Sequence, residues 1–183
     1  INQGTQFTQC ICNGGDGGAI YAKIEQNSSL EISEGVIFEQ CETKQSTQSQ
    51  KGGRGGAIYI DINFGSLVSF AIKDGLFSKC KATSLLTNTL SGFGGGIFIA
   101  GSGDYSVQSK RLDLKGMKID LNTATQGGQT LYVVMNKLKE WCNYGIAGEY
   151  VKELYSNNVK QNKALNHKKE AAEELYILIS TLE

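Results

Sequence analysis

A repeat constrains this chain more than any other feature. Gly17-Gly18-Ala19-Ile20-Tyr21 recurs as Gly55-Gly56-Ala57-Ile58-Tyr59 and again as Gly94-Gly95-Gly96-Ile97-Phe98, a period of 38 and then 39 residues. A second motif is in phase with the first: Phe7-Thr8-Gln9-Cys10, Phe38-Glu39-Gln40-Cys41 and Phe77-Ser78-Lys79-Cys80 each precede one glycine motif. Two independent motifs in step mark a true repeat, and a period of this length belongs to solenoids, propellers or repeat arrays. A fourth, decayed copy reads as Met117-Lys118-Ile119-Asp120 followed by Gly127-Gly128-Gln129-Thr130-Leu131-Tyr132, as expected of a terminal repeat.

Within one period the pattern is that of strands. Ile20, Ala22 and Ile24 alternate with Tyr21, Lys23 and Glu25, and Ile58, Ile60 and Ile62 alternate with Tyr59, Asp61 and Asn63. Period two with one apolar face predicts half-buried strands. A second alternation follows at Leu30 and Ile32, matched at residues 67–72 and at Leu112 and Leu114, and a third spans residues 36–41 and 75–80. Three short strands per period are therefore expected. Asn-Gly hairpins between neighbouring strands are missing, which excludes a meander, and no long amphipathic helices intervene as a doubly wound sheet requires. What remains is a solenoid with one coil per period, its equivalent strands stacked in parallel about 4.8 Å apart. The expected fold is an all-β, right-handed parallel β-helix of about four coils over residues 1–135, its hand set by the preference for right-handed connections.

Composition agrees. The 183 residues include 23 Gly and no Pro, which is neither collagen-like nor a proline-rich linker, so the glycines must mark regular backbone positions. Lys and Arg total 18 against 18 Asp and Glu, and this balance leaves no field to steer the chain toward nucleic acid or an anionic membrane. No stretch approaches the ~20 apolar residues that span a bilayer.

The paired glycines read as structural. Gly17, Gly55 and Gly94 suit positive-φ corners where the chain enters a strand, with stacked copies approaching too closely for a Cβ, and Gly18, Gly56 and Gly95 complete the same structural motif. A phosphate loop would need a helix after it, and strands follow instead. Cys10, Cys41 and Cys80 share one repeat position and are expected to stack as small apolar fillers at a corner, with Phe7, Phe38 and Phe77 as structural repeat positions of the same motif. Distance alone permits a Cys10–Cys41 or Cys41–Cys80 disulfide, and the odd total of five cysteines leaves at least one thiol free or paired with another chain. Cys10-Ile11-Cys12 is not a zinc knuckle and His167 is the only histidine, so no metal and no cofactor is expected. If Ile20, Ile58 and Ile97 face inward, then Tyr21, Tyr59 and Phe98 face outward as an aromatic ladder. It serves either as cross-strand packing or as a face for a glycan or protein partner.

Catalytic signals are weak. Asp16, Asp61, Asp74 and Asp104 are the candidate carboxylates, without an Asp-Asp or Asp-x-Asp pair, and no Gly-x-Ser-x-Gly elbow is present. Residues 42–54 and 81–93 are polar or rich in small residues and are expected to form outward loops, the usual place for a solenoid's binding surface.

From about Met135 the periodicity changes. Residues 137–142 and 149–155 read as short helices or turns around Trp141 and Tyr144. Residues 164–182 read as an amphipathic helix with Leu165, Ala172, Leu175, Ile179 and Leu182 on one stripe and Lys168, Lys169, Glu170, Glu173 and Glu174 on the other. Residues 136–183 are thus expected to form a mainly helical extension that caps the solenoid or serves as a stalk or dimerising helix; the coil ends offer a second route to oligomers. Ile1 is not an initiator Met and follows no leader, so the sequence reads as an excised piece of a longer protein, and Leu182-Glu183 reads either as a vector-derived scar or as the end of the helical stripe.

The pairing of Gly-Gly-Ala-Ile with Phe-x-x-Cys resembles the Gly-Gly-Ala-Ile and Phe-x-x-Asn repeats of chlamydial polymorphic outer-membrane proteins. It is also similar to large surface proteins of anaerobic protists in which Gly-Gly-Ala-Ile-Tyr recurs with Phe-x-x-Cys. The likeness covers residues 7–134 and departs from the chlamydial motif at Cys10, Cys41 and Cys80, where Asn would stand, and in lacking a translocating barrel. It implies a β-helix displayed outside the cell, with adhesion in the bacterial relatives. The leading expectation is a non-enzymatic extracellular scaffold or adhesin segment. The alternative is a carbohydrate-active β-helix of the pectate-lyase or polygalacturonase type, which rests on fold analogy alone.

Overall fold

The computed structural model describes residues 1–45, 52–85 and 90–144. The first coil contains β1 (Gln6–Thr8), β2 (Ile11–Asn13), β3 (Ile20–Ile24) and β4 (Ser29–Ile32). The second contains β5 (Val36–Glu39), β6 (Glu42–Lys44), β7 (Ile58–Asn63) and β8 (Ser69–Ile72), and the third β9 (Gly75–Ser78), β10 (Lys81–Thr83), β11 (Ile97–Ser102) and β12 (Leu112–Asp113). An incomplete fourth coil supplies β13 (Met117–Asp120), β14 (Thr123–Ala124) and β15 (Leu131–Val134), and a short helix α1 (Leu138–Asn143) comes after it. Equivalent strands stack in parallel in the orders β1-β5-β9-β13, β2-β6-β10-β14, β3-β7-β11-β15 and β4-β8-β12. The fold is a parallel β-helix.

Each coil has four strand positions rather than three. The additional sheet is β2-β6-β10-β14, and two of its strands, β6 and β10, lie in segments expected to be loops. Its strands are two or three residues long, too short for an alternation to show. They come after a sharp corner at which Gln9, Gln40, Lys79 and Leu121 adopt left-handed backbone with φ of 55°, 54°, 54° and 51°. That corner turns the chain into a new sheet, in which Thr43 and Ala82 are fully buried and the Thr43 hydroxyl donates to the carbonyl of Gly15 at 2.8 Å. Residues 46–51 and 86–89, in the middle of the expected loops, lie outside the described residues, as do residues 149–155, the helix expected at 164–182, and His167.

In-register stacking makes the core. Ile20, Ile58, Ile97 and Leu131 form one inward row, and Ala22, Ile60, Ile99 and Val133 form the next. On a second wall, Phe7 stacks on Phe38 with ring centroids 4.8 Å apart, and Phe38 on Phe77 at 4.8 Å. Ile58, Ile60, Ile62, Phe38 and Phe77 are fully buried, each removing about 1.5–3 kcal/mol worth of apolar surface from water.

The first glycine of each pair is the positive-φ corner, and the close approach to the next coil falls on the second rather than the first. Gly55 has φ +68°, a left-handed conformation in which a side chain would be strained. A Cβ on Gly56 would sit 2.0 Å from the carbonyl oxygen of Gly95 in the next coil, so only glycine lets the coils close.

The fourth copy is registered differently from its sequence alignment. Ile119 pairs with Phe77, which places Asn122 rather than Asp120 at the cysteine position. Leu131 pairs with Ile97, which places Gly128 opposite Gly94 and Gln129 opposite Gly95. Gln129 tolerates its side chain because, among the described residues, no further coil stacks there. Its Oε1 accepts the amide of Ala124 at 2.8 Å, and its Nε2 reaches the carbonyl of Ala124 at 3.5 Å. One side chain therefore takes the place of a neighbouring strand at the edge of β14. At the edge of β12, the buried Trp141 of α1 donates from Nε1 to the carbonyl of Leu112 at 3.1 Å.

Candidate functional site

Because β3, β7, β11 and β15 are in register, their outward aromatic positions superpose. Tyr21 stacks on Tyr59 at 5.1 Å, Tyr59 on Phe98 at 5.3 Å and Phe98 on Tyr132 at 5.2 Å, so the decayed fourth copy supplies a fourth rung. Its exposure is uneven. Tyr21 is 58% exposed, whereas Tyr59 and Phe98 are only 6% and 4% exposed. An open face running across all three rungs is not what the structure holds; the accessible aromatic is the one in the first coil.

The cover comes from residues just ahead of the glycine corners. Arg54 precedes Gly55, and its guanidinium lies 4.8 Å from the Tyr59 ring centroid and 5.2 Å from that of Phe98. It is fixed there by Asp16, which precedes Gly17: Arg54 donates from Nε to Oδ1 at 3.0 Å and from Nη2 to Oδ2 at 2.6 Å, and its backbone amide donates to Oδ1 at 3.0 Å. Phe93, ahead of Gly94, tilts against Tyr132 at 4.4 Å. Burial above all raises the pKa of Tyr59 and of Tyr132. Asp16, Arg54 and Phe93 occupy one repeat position, so an alignment of the three copies extended by a single residue reveals the column.

The cysteine column faces the core at the corner. Sγ of Cys41 donates to the carbonyl of Phe7 at 3.3 Å, and Sγ of Cys80 to that of Phe38 at 3.5 Å. Asn122 continues the pattern by donating from Nδ2 to Phe77 at 2.9 Å, and its Oδ1 accepts the amide of Cys80 at 2.9 Å. Thiol and carboxamide thus do the same work, each tying a corner to the carbonyl of the preceding coil. All five cysteines are free thiols. The hydrogen bond with Cys80 and then burial raise Cys41 far above the ordinary thiol range, while burial is the main cause raising Cys10 and raising Cys142 to about 12.

The candidate carboxylates do not converge. Asp16 is held by Arg54, Asp74 pairs with Lys118, and Asp104 pairs with Lys137 at 2.6 Å. Asp61 lies in register between Lys23 and Ala100. Among the described residues, no three His, Cys, Asp or Glu side chains are placed to hold a metal ion, and no helix is long and apolar enough to cross a membrane.

No protein-family model matches the chain, and no curated protein or solved structure gives a significant match.

Proposed function

We propose that this chain is a non-enzymatic extracellular β-helix segment, a scaffold or adhesin module that meets a glycan or protein partner through its outward loops and the exposed aromatic ring of Tyr21. The observation that carries the reading is the pairing of carboxylates with bases at separate points of the coil: Asp16 with Arg54, Asp74 with Lys118 and Asp104 with Lys137. Polysaccharide cleavage needs carboxylates left available and held together at a defined separation. Here they act as surface and inter-coil ties. The paired motifs add support through their likeness to displayed repeat proteins. Tyr21 supplies a flat, amphipathic ring suited to stacking on a sugar or an apolar side chain.

The test has two arms. Pectic and other polysaccharides incubated with the chain are expected to show no depolymerisation, and turnover abolished by Asp61→Ala would overturn the proposal. On glycan arrays and in partner capture, binding is expected to fall at least about tenfold with Tyr21→Ala, a loss of about 1.4 kcal/mol, and to survive Asp104→Ala.

A further inference from the structure

The turn from β3 to β4 carries Asn27-Ser28-Ser29, the single Asn-x-Ser/Thr triplet in the sequence. Gln26 and Asn27 both adopt left-handed backbone, with φ of 56° and 62°, so the turn is tight, and residues 26–29 are all exposed. The Asn27 carboxamide has a defined orientation. Its Oδ1 accepts the amide of Leu67, one coil on, at 3.2 Å, which directs the oxygen to the stack and leaves Nδ2 without a hydrogen bond among the described residues. Ser28 is engaged locally, its Oγ donating to the carbonyl of Glu25 at 2.7 Å and accepting the Glu25 amide at 3.1 Å. The Ser29 hydroxyl, which the triplet requires, makes no such bond among the described residues. Beside the turn, Leu67 is an apolar residue 76% exposed, standing at the register position of Asn27.

We propose that Asn27 is an N-glycosylation site and that its glycan covers Leu67. This rests on the extracellular reading above. In the transfer, a bond forms between Nδ2 of Asn27 and the anomeric carbon of a lipid-pyrophosphate-linked oligosaccharide while the bond from that carbon to the pyrophosphate oxygen breaks. Nδ2 gives up one proton to a base of the transferase, the lipid pyrophosphate leaves, and nothing is oxidised or reduced. Because the reaction uses Nδ2 and spares Oδ1, the tie to Leu67 survives modification.

The experiment isolates the native protein from its source cells after labelling with a membrane-impermeant amine reagent. The tryptic peptide spanning residues 24–44 is then analysed by mass spectrometry, with and without peptide N-glycosidase. The expected result is surface-labelled protein whose peptide bears a hexose-rich adduct, with Asn27 converted to Asp on enzymatic release. Chain secreted from eukaryotic cells is expected to lose the adduct with Asn27→Gln or Ser29→Ala and to keep it with Ser29→Thr. Ser29→Ala retains the Asn27–Leu67 hydrogen bond and so separates loss of acceptor from loss of fold. Unmodified Asn27 in surface-labelled protein overturns the glycosylation proposal alone; unmodified Asn27 in unlabelled protein overturns the extracellular reading with it.

Discussion

The guanidinium of Arg54 and the carboxylate of Asp16 form a two-pronged ion pair across a coil boundary, Nε to Oδ1 at 3.0 Å and Nη2 to Oδ2 at 2.6 Å, with the guanidinium over the Tyr59 ring. Both side chains are largely shielded, at 23% and 11% exposure, and a fork-to-fork pair of this kind is stronger than an open surface pair. Arg54→Ala is expected to cost about 1–3 kcal/mol, because it removes the cation–π cover and strands Asp16. A double-mutant cycle with Asp16→Ala, read by urea midpoints, is expected to give a coupling of at least about 1 kcal/mol. Additive single effects would show that the pair is incidental.

The second glycine of the motif leaves no room for a side chain, and the last coil supplies the control. Gly56→Ala drives a Cβ to 2.0 Å from the Gly95 carbonyl and 2.6 Å from the Lys81 backbone, so the coils must part; a loss of about 3 kcal/mol or more is expected. Gln129, in the same column, already carries a side chain. Gln129→Ala is expected to cost only about 1 kcal/mol, the bonds to Ala124. Chemical denaturation monitored by circular dichroism distinguishes the two.

Asn122 and Cys80 play equivalent parts, so one should accept the other's chemistry. Cys80→Asn is expected to stay within about 1 kcal/mol of the parent, whereas Cys80→Leu overpacks the corner at about 1–3 kcal/mol. Alkylation mapped by mass spectrometry provides a second readout. The thiols of Cys41 and Cys80 are expected to react only after unfolding, since both are buried and Cys41 is held protonated.

Tyr105 is fully buried against Phe64, and its hydroxyl has no hydrogen-bond partner among the described residues; the backbone of Leu112 approaches without completing one. Burial raises its pKa from 10.0 to about 12. The protonated phenol is therefore favoured in the folded state. Its contribution is complete below pH 10 and is lost as pH climbs through about 12, roughly 2–3 kcal/mol in all. Tyr105→Phe is expected to be neutral or slightly stabilising at pH 7 and to flatten the decline in stability between pH 10 and 12. An unchanged alkaline limb would assign that decline to Cys41 and Cys142 instead.

By itself the sequence determined the repeat unit and the consequences of repetition. In-register motifs can stack only as parallel coils, and period two along Ile58, Ile60 and Ile62 settles which side chains fill the core and which, like Tyr59, leave it. The positive-φ role of Gly55 was legible for the same reason, since backbone geometry recurs wherever the motif does, whereas the close approach expected there falls one residue later, on Gly56. The tertiary structure decided matters that depend on a neighbour rather than on a pattern. The strand at Glu42–Lys44 exists because β2 and β10 flank it, not because three polar-edged residues favour it. The register of Ile119 and Asn122 comes from pairing with β9, which outweighs a motif alignment two residues away. Cover over Tyr59 and Phe98 arises where Asp16 anchors Arg54 from 38 residues off, a contact that stacking creates and local sequence does not signal. Gln129 escapes the glycine rule of its column because no described coil stacks on it to exclude its side chain.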